Sequence, residues 1–127
     1  MALQNTFAFT KTIIDINNFL KNTGNQFRYV SQRPYQSKQD PAKRGVSVTL
    51  LVIQDSTDYG EDKNGRKRET NTFNSFDVTI LNGESYLDLK KGDVVSLIGF
   101  IEENSFAIGF DLILRFKNIK KLDNDGK

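Results

Sequence analysis

Val46, Val48, Leu50 and Val52 recur at every second position, with Ser47 and Thr49 between them, and this constrains the chain more than any other feature. Successive side chains of a strand point to opposite faces, so the alternation predicts a strand with one buried and one polar face. Similar patterns flank it. Gln26 to Gln36 alternates enough to be a strand, and Pro34, which lacks an amide hydrogen, confines its second half to an edge or a bulge. Gln54 to Glu69 is polar and holds the strong turn signal Asp62-Lys63-Asn64-Gly65, the tip of a long hairpin. A strand from about Thr70 to Leu81 follows, with Phe76, Val78 and Ile80 on one face and Phe73, Ser75, Asp77 and Thr79 on the other. Asn82-Gly83 turns the chain, and Glu84 to Leu89 leaves room for barely one helical turn. Val94 to Glu103 and Phe106 to Leu122 complete the set, joined tightly at Asn104-Ser105. Gly99 and Gly109 fall inside these last strands, where glycine is poorly favoured unless the sheet coils or bulges. Five short antiparallel strands with glycine bends predict an all-β domain, a closed or nearly closed small barrel.

The N-terminal segment is read differently. Ile13, Ile16 and Leu20 share one helical face, and Thr12 with Asp15 gives a capping signal, so Thr10 to Asn22 is expected to be a helix. Three β-branched isoleucines leave a strand through Phe7 to Ile16 as the alternative. Thr23-Gly24-Asn25 ends the element. The organisation is then an extension over 1–25, a barrel over 26–122 and a short tail over 123–127. Phe7, Phe9, Ile13, Ile14, Phe19 and Leu20 are more apolar than a short cap needs. Either they dock on a neighbouring subunit and build a homo-oligomer, or they fold back onto their own barrel.

The chain has neither cysteine nor histidine, which removes disulfides, thiolate nucleophiles, Cys/His zinc sites and imidazole bases. Nothing approaches the ~20 apolar residues that span a bilayer, and Met1 to Thr10 has no basic region followed by an apolar run. A cytoplasmic protein without a membrane partner is the expectation. Asp55, Asp58, Glu61 and Asp62 form the densest acidic cluster, but their spacing matches no calcium-loop pattern, and no glycine-rich phosphate loop is present. No enzymatic activity, cofactor or metal is expected.

The charge distribution points elsewhere. The net charge is only +2, yet Gln26 to Gly45 holds five basic residues, Arg28, Arg33, Lys38, Lys43 and Arg44, against one acidic, Asp40. Asp93 to Glu103 holds three acids and no base. Lys63, Arg66, Lys67 and Arg68 add a basic hairpin tip, balanced by Asp58, Glu61, Asp62 and Glu69. The aromatics that the pattern leaves outside the core are Tyr29, Tyr35, Tyr59, Phe73 and Phe100. Arg28-Tyr29 and Arg33-Pro34-Tyr35 interleave cation and ring, as single-stranded nucleic acid requires: bases stack on aromatic faces while Lys and Arg follow the phosphates. Arg115 and Lys117 share a parity on the last strand and extend the basic track.

Several of these segments resemble the bacterial-type single-stranded DNA-binding proteins of the oligonucleotide-binding (OB) fold, over Gly45 to about Ile101. Val46-Ser47-Val48-Thr49-Leu50 looks like that family's second strand, Asp62-Lys63-Asn64-Gly65 with Glu69-Thr70 like its long hairpin, and Phe76 to Gly83 like its third strand. Tyr86-Leu87-Asp88-Leu89-Lys90-Lys91-Gly92-Asp93-Val94-Val95-Ser96-Leu97-Ile98-Gly99 is similar to its tyrosine-leucine, lysine-glycine, valine, glycine signature. The resemblance implies a five-stranded OB barrel that binds single-stranded DNA with little sequence preference, in plasmid transfer or in phage or plasmid replication. It also implies a stacking aromatic on the third strand. Alternation favours Phe73 for that role, and a gapless match back from Gly83 favours Phe76. There is no tryptophan, the helix after the third strand is cut to Glu84–Leu89, and the ending Asp123-Asn124-Asp125-Gly126-Lys127 lacks the family's long acidic tail. These departures suit a divergent phage or conjugative-plasmid member. An OB-like module that contacts only protein in such an apparatus, and an RNA-binding OB protein, are the alternatives.

Overall fold

The computed structural model describes residues 3–5, 8, 14–39, 43–108 and 111–122. Among them one helix, α1 (Ile16–Thr23), precedes six strands: β1 (Phe27–Gln36), β2 (Arg44–Val52), β3 (Ser75–Ile80), β4 (Val94–Phe100), β5 (Phe106–Ile108) and β6 (Asp111–Lys121). The chain is therefore mostly β, in a single sheet ordered β3-β2-β1-β4-β6-β5. A further pairing of β3 with β6 closes five of the strands into a ring. Four neighbour pairs of that ring are antiparallel, and the closing pair is parallel, with Val78 opposite Leu114 and Ile80 opposite Phe116. An all-antiparallel set of five had been expected. The last expected strand is also divided, into β5 and β6, which pair with each other outside the ring. Gly109 lies outside the described residues.

The inward face is the one the alternation assigned. Val46, Val48, Leu50 and Val52 of β2, Val78 and Ile80 of β3, and Leu114 and Phe116 of β6 are all buried, with Phe27, Val95 and Leu97 beside them. Pro34 is tolerated because β1 pairs with β4 only at Phe27 and Arg28, leaving the later part of β1 bonded on one side. Gly99 has a φ of 74°, inside β4, where its hydrogen-only side chain passes Lys117 closely.

The helix starts later than expected. Asp15 is its N-cap, accepting a hydrogen bond from the Asn18 amide at 3.2 Å, and Gly24 ends it in the left-handed region. Thr12 lies outside the described residues. The apolar face of α1 covers one end of the ring: Phe19 stacks on Phe27 at 5.8 Å and meets Phe76 edge-on at 5.6 Å. Ile14, Phe19 and Leu20 are partly buried and pack against the molecule's own core, as the fold-back alternative expects. Phe7, Phe9 and Ile13 lie outside the described residues. Asn25 ties α1 to the sheet, its side-chain amide exchanging two hydrogen bonds with the backbone of Leu97. Glu84 to Leu89 is not helical; Gln32 holds it by donating to the Leu87 carbonyl and accepting from the Leu87 amide, both at 2.7 Å. No helix among the described residues is long and apolar enough to cross a membrane.

Candidate functional site

One face of the sheet stays open. Strand register places Thr49 between Ser31 and Asp77 in one row, and Ser47 between Arg33 and Thr79 in the next. Thr79 in turn lies opposite Arg115 of β6. Side chains in register share a face, so the outward surface of β1, β2 and β3 has a floor of small hydroxyl residues with arginines along it. A groove of about 740 Å³ runs over this surface, from Asn71 and Asn74 at one end to Tyr35 and Arg115 at the other. A second hollow of about 420 Å³ continues past Tyr35 and Arg115 to Lys38 and Lys43, between the β1–β2 loop and the β4-to-β6 connection.

A bulge in β1 decides which tyrosine reaches the groove. Tyr29 and Tyr35 are an even number of residues apart and would share a face in a regular strand. The register slips between Tyr29 and Ser31, and one extra residue reverses the facing of everything beyond it. Tyr35 consequently lines the groove, whereas Tyr29 turns inward and is 6% exposed. Tyr29, expected to stack on a base, is a core residue. Phe76 is partly buried: its ring packs edge-on against Phe27 at 5.2 Å, and it also lines the groove. Phe100 packs on Phe116.

Phe73 is the opposite case. It lies outside β3, in the turn that leads into the strand, and is 72% exposed. Its φ of 70° falls in the left-handed region, which a bulky side chain rarely adopts. The turn is held from below. The Phe73 amide donates to the Val52 carbonyl at 2.6 Å, and the Val52 amide donates to the Asn74 carbonyl at 2.9 Å. Asp55 accepts from the Asn71 amide at 2.9 Å and from the Tyr59 hydroxyl at 2.6 Å, while the Asn71 side chain donates to Tyr59 at 2.8 Å. Partial burial pushes the Asp55 carboxyl up, but hydrogen bonds from Thr57, Tyr59 and Asn71 outweigh it and hold the group at about 2. Burial, and then the bond to Asp55, push the Tyr59 phenol up. Tyr59 is thus a brace for the Phe73 turn, with its hydroxyl engaged and its ring 38% exposed.

At the other end Arg115 lies between two rings, its guanidinium carbon 5.5 Å from the centre of Tyr35 and 5.9 Å from the centre of Phe106. One terminal nitrogen donates to the Asn104 carbonyl at 2.6 Å and the other to the Tyr35 hydroxyl at 3.3 Å. Its Nε is the one buried side-chain polar atom among the described residues without a hydrogen-bond partner. Buried donors are seldom left unpaired, so this nitrogen is an exception within the site. Phe106 was not singled out in the sequence, because its contact with Arg115 depends on β5 folding back onto β6.

The remaining cations divide by position. Arg33 lines the main groove, and Lys38 and Lys43 line the second hollow. Arg44 is exposed at the start of β2, and Arg28 is exposed with a terminal nitrogen donating to the Gly92 carbonyl at 2.9 Å. Lys63, Arg66, Lys67 and Arg68 are exposed at the hairpin tip, where the backbones of Glu61 and Lys67 form an isolated antiparallel bridge and the Asp62 amide donates to the Arg66 carbonyl. None of the four lines the groove or the hollow. The single ion pair among the described residues, Lys121 with Asp93, lies away from this face. No family model, curated protein or solved structure matches the chain.

Proposed function

We propose that this chain is a non-enzymatic OB-fold protein that binds single-stranded DNA with low sequence specificity. It would be a divergent relative of the bacterial-type single-stranded DNA-binding proteins, serving plasmid transfer or phage or plasmid replication. One observation carries this reading: the groove over the open β1–β2–β3 face runs from Asn71 and Asn74, in the turn that bears the strained, exposed Phe73, to Arg115 with the rings of Tyr35 and Phe106 beside it. A polyanion with flat bases needs aromatic faces for the bases and cations for the phosphates. The ring of five strands and the long hairpin are consistent with an OB barrel. Such barrels use the face of their second and third strands, together with the loop between the first two strands and the loop before the last. Here those loops carry Lys38, Lys43 and Phe106.

In this reading Phe73 and Tyr35 stack bases. Arg33, Arg115, Lys38, Lys43 and Arg44 meet phosphates, and the tip cations Lys63, Arg66, Lys67 and Arg68 meet the strand where it leaves the face. Fluorescence titration with a single strand, its duplex and the equivalent RNA, at low and physiological salt, tests it. The expected result is tight binding of the single strand that weakens steeply with salt, because cations release counterions from each phosphate they neutralise. Equal and weak binding of single strand and duplex would refute it.

A second reading draws on a different surface. β5 is the outermost strand of the sheet, and its Phe106 and the neighbouring Leu112 of β6 are both about half exposed. An exposed strand edge with apolar neighbours can add a strand from another chain, as in an OB-like protein–protein module of a conjugation or phage apparatus. Stable self-association without any affinity for DNA would favour that reading, and self-association together with DNA binding would make the protein a DNA-binding homo-oligomer.

A further inference from the structure

Most of the open face suits phosphate or an aromatic base, but its middle does not. Asp77 is exposed there, in the row formed with Ser31 and Thr49, and it lines the groove. The adjacent row, two residues along each strand, is the one that carries Arg33 and Arg115. Two strand residues span about 6.6–6.8 Å, so an anion and two cations occupy neighbouring stations of one groove. Thr49 donates its hydroxyl to Oδ1 of Asp77 at 2.6 Å, which fixes the carboxylate against the floor. Among the described residues no cation pairs with Asp77, and its Oδ2 accepts no hydrogen bond.

A carboxylate at this point repels a phosphate, so the backbone of a bound strand runs along the arginines and turns a base edge toward the floor. An ionised carboxylate only accepts hydrogen bonds. Cytosine, adenine and guanine each present an exocyclic amine, which makes a charge-assisted bond to such a group. Uracil and thymine lack such an amine: their one donor on that edge, the ring N3–H, is flanked by two carbonyl oxygens whose lone pairs oppose the carboxylate. Resting on the proposed reading of this face, we infer that Asp77 is a base-selecting residue: it makes the groove prefer bases that carry an exocyclic amine over uracil and thymine. The preference acts at one station of the groove, so it biases base composition without imposing a sequence motif.

The test compares single strands of deoxycytidine and deoxyuridine, whose bases differ only in the groups on the pairing edge. At mildly alkaline pH, where cytosine is neutral, the wild-type chain is expected to bind the cytidine strand roughly fivefold or more tightly, the lower end of what one well-placed base contact gives. Asp77→Asn keeps the shape, can still accept from Thr49, and adds an amide donor that suits the uracil carbonyl. In this variant the ratio should fall toward one, chiefly because the uridine strand binds more tightly. A wild-type ratio of one, or a ratio that Asp77→Asn leaves unchanged, overturns the inference while leaving single-strand binding intact. Failure of both strands to bind overturns the reading of the face together with the inference.

Discussion

Phe73 combines an unfavourable backbone with an exposed ring, and the two can be separated by substitution. A non-glycine residue held in the left-handed region costs roughly 1–2 kcal/mol, and at 72% exposure the ring recovers little of this by packing. Phe73→Gly removes both strain and ring. Glycine gives back about 0.5–1 kcal/mol through the greater freedom of the unfolded chain, so the net effect is a stabilisation of about 0.5–1 kcal/mol. For a chain of this size the melting temperature should rise by about 2–5 °C. Phe73→Ala removes the ring but retains the Cβ, and hence the strain, so it should melt near the wild type. Both variants lose one stacking platform, worth about 1–3 kcal/mol, and should bind a single strand roughly five- to 150-fold more weakly. Circular dichroism melts of the three proteins, with titrations of one labelled oligonucleotide, give both quantities. The reasoning is refuted if Phe73→Gly melts at or below Phe73→Ala, or if both variants bind like the wild type.

Other expectations follow from the same geometry. The Asp55 carboxyl is held at about 2, below its ordinary unfolded value near ~3.9, so its contribution is complete above about pH 4 and is lost as the pH falls toward 2. Asp55→Asn should therefore destabilise the protein by about 1–2 kcal/mol at neutral pH, allowing for solvent screening, and flatten the acid limb of urea-denaturation stability. Arg115→Lys keeps the charge but loses the guanidinium's contacts with Tyr35, Phe106 and the Asn104 carbonyl; it should weaken binding, whereas Arg115→Ala should also reduce the slope of log affinity against log salt by about one. Tyr29→Ala, at a buried position, should cost about 3 kcal/mol or more in a denaturant titration, while Tyr35→Ala leaves stability nearly unchanged and reduces binding.

What could be read from the sequence was what depends on local pattern. The alternation through Val46 to Val52 gave the correct inward face of β2, and Val78 and Ile80 gave that of β3, because period-two burial is written directly in the residues. The turn at Asp62 to Gly65 was legible because aspartate and glycine meet its backbone needs: the Asp62 side chain accepts from the amides of Asn64 and Arg66. The parallel closure of β3 on β6 was not legible, since it joins segments distant in sequence and no residue marks it. Alternation picked out Phe73 over Phe76 as the exposed ring, but for an incomplete reason. Phe73 stands in a turn before the strand, where Asp55 and Tyr59 brace the backbone from the preceding hairpin. Tyr29 failed for a single cause: the bulge before Ser31 reverses the facing of β1, and nothing in Arg28-Tyr29-Val30-Ser31 announces it. The same slip brings Tyr35 to Arg115, so the feature that removed one expected platform built the other end of the groove.

The central claim is that the open β1–β2–β3 face takes a single strand of DNA, and cross-linking tests it most directly. A single-stranded oligonucleotide carrying photoreactive bases, bound to the wild-type chain and irradiated, should attach to peptides containing Tyr35, Phe73 and Phe106, and much less so in the presence of excess unlabelled strand. Attachment confined to α1 or to the outer side of β4 around Ile98, with these three peptides unmodified, would contradict the account.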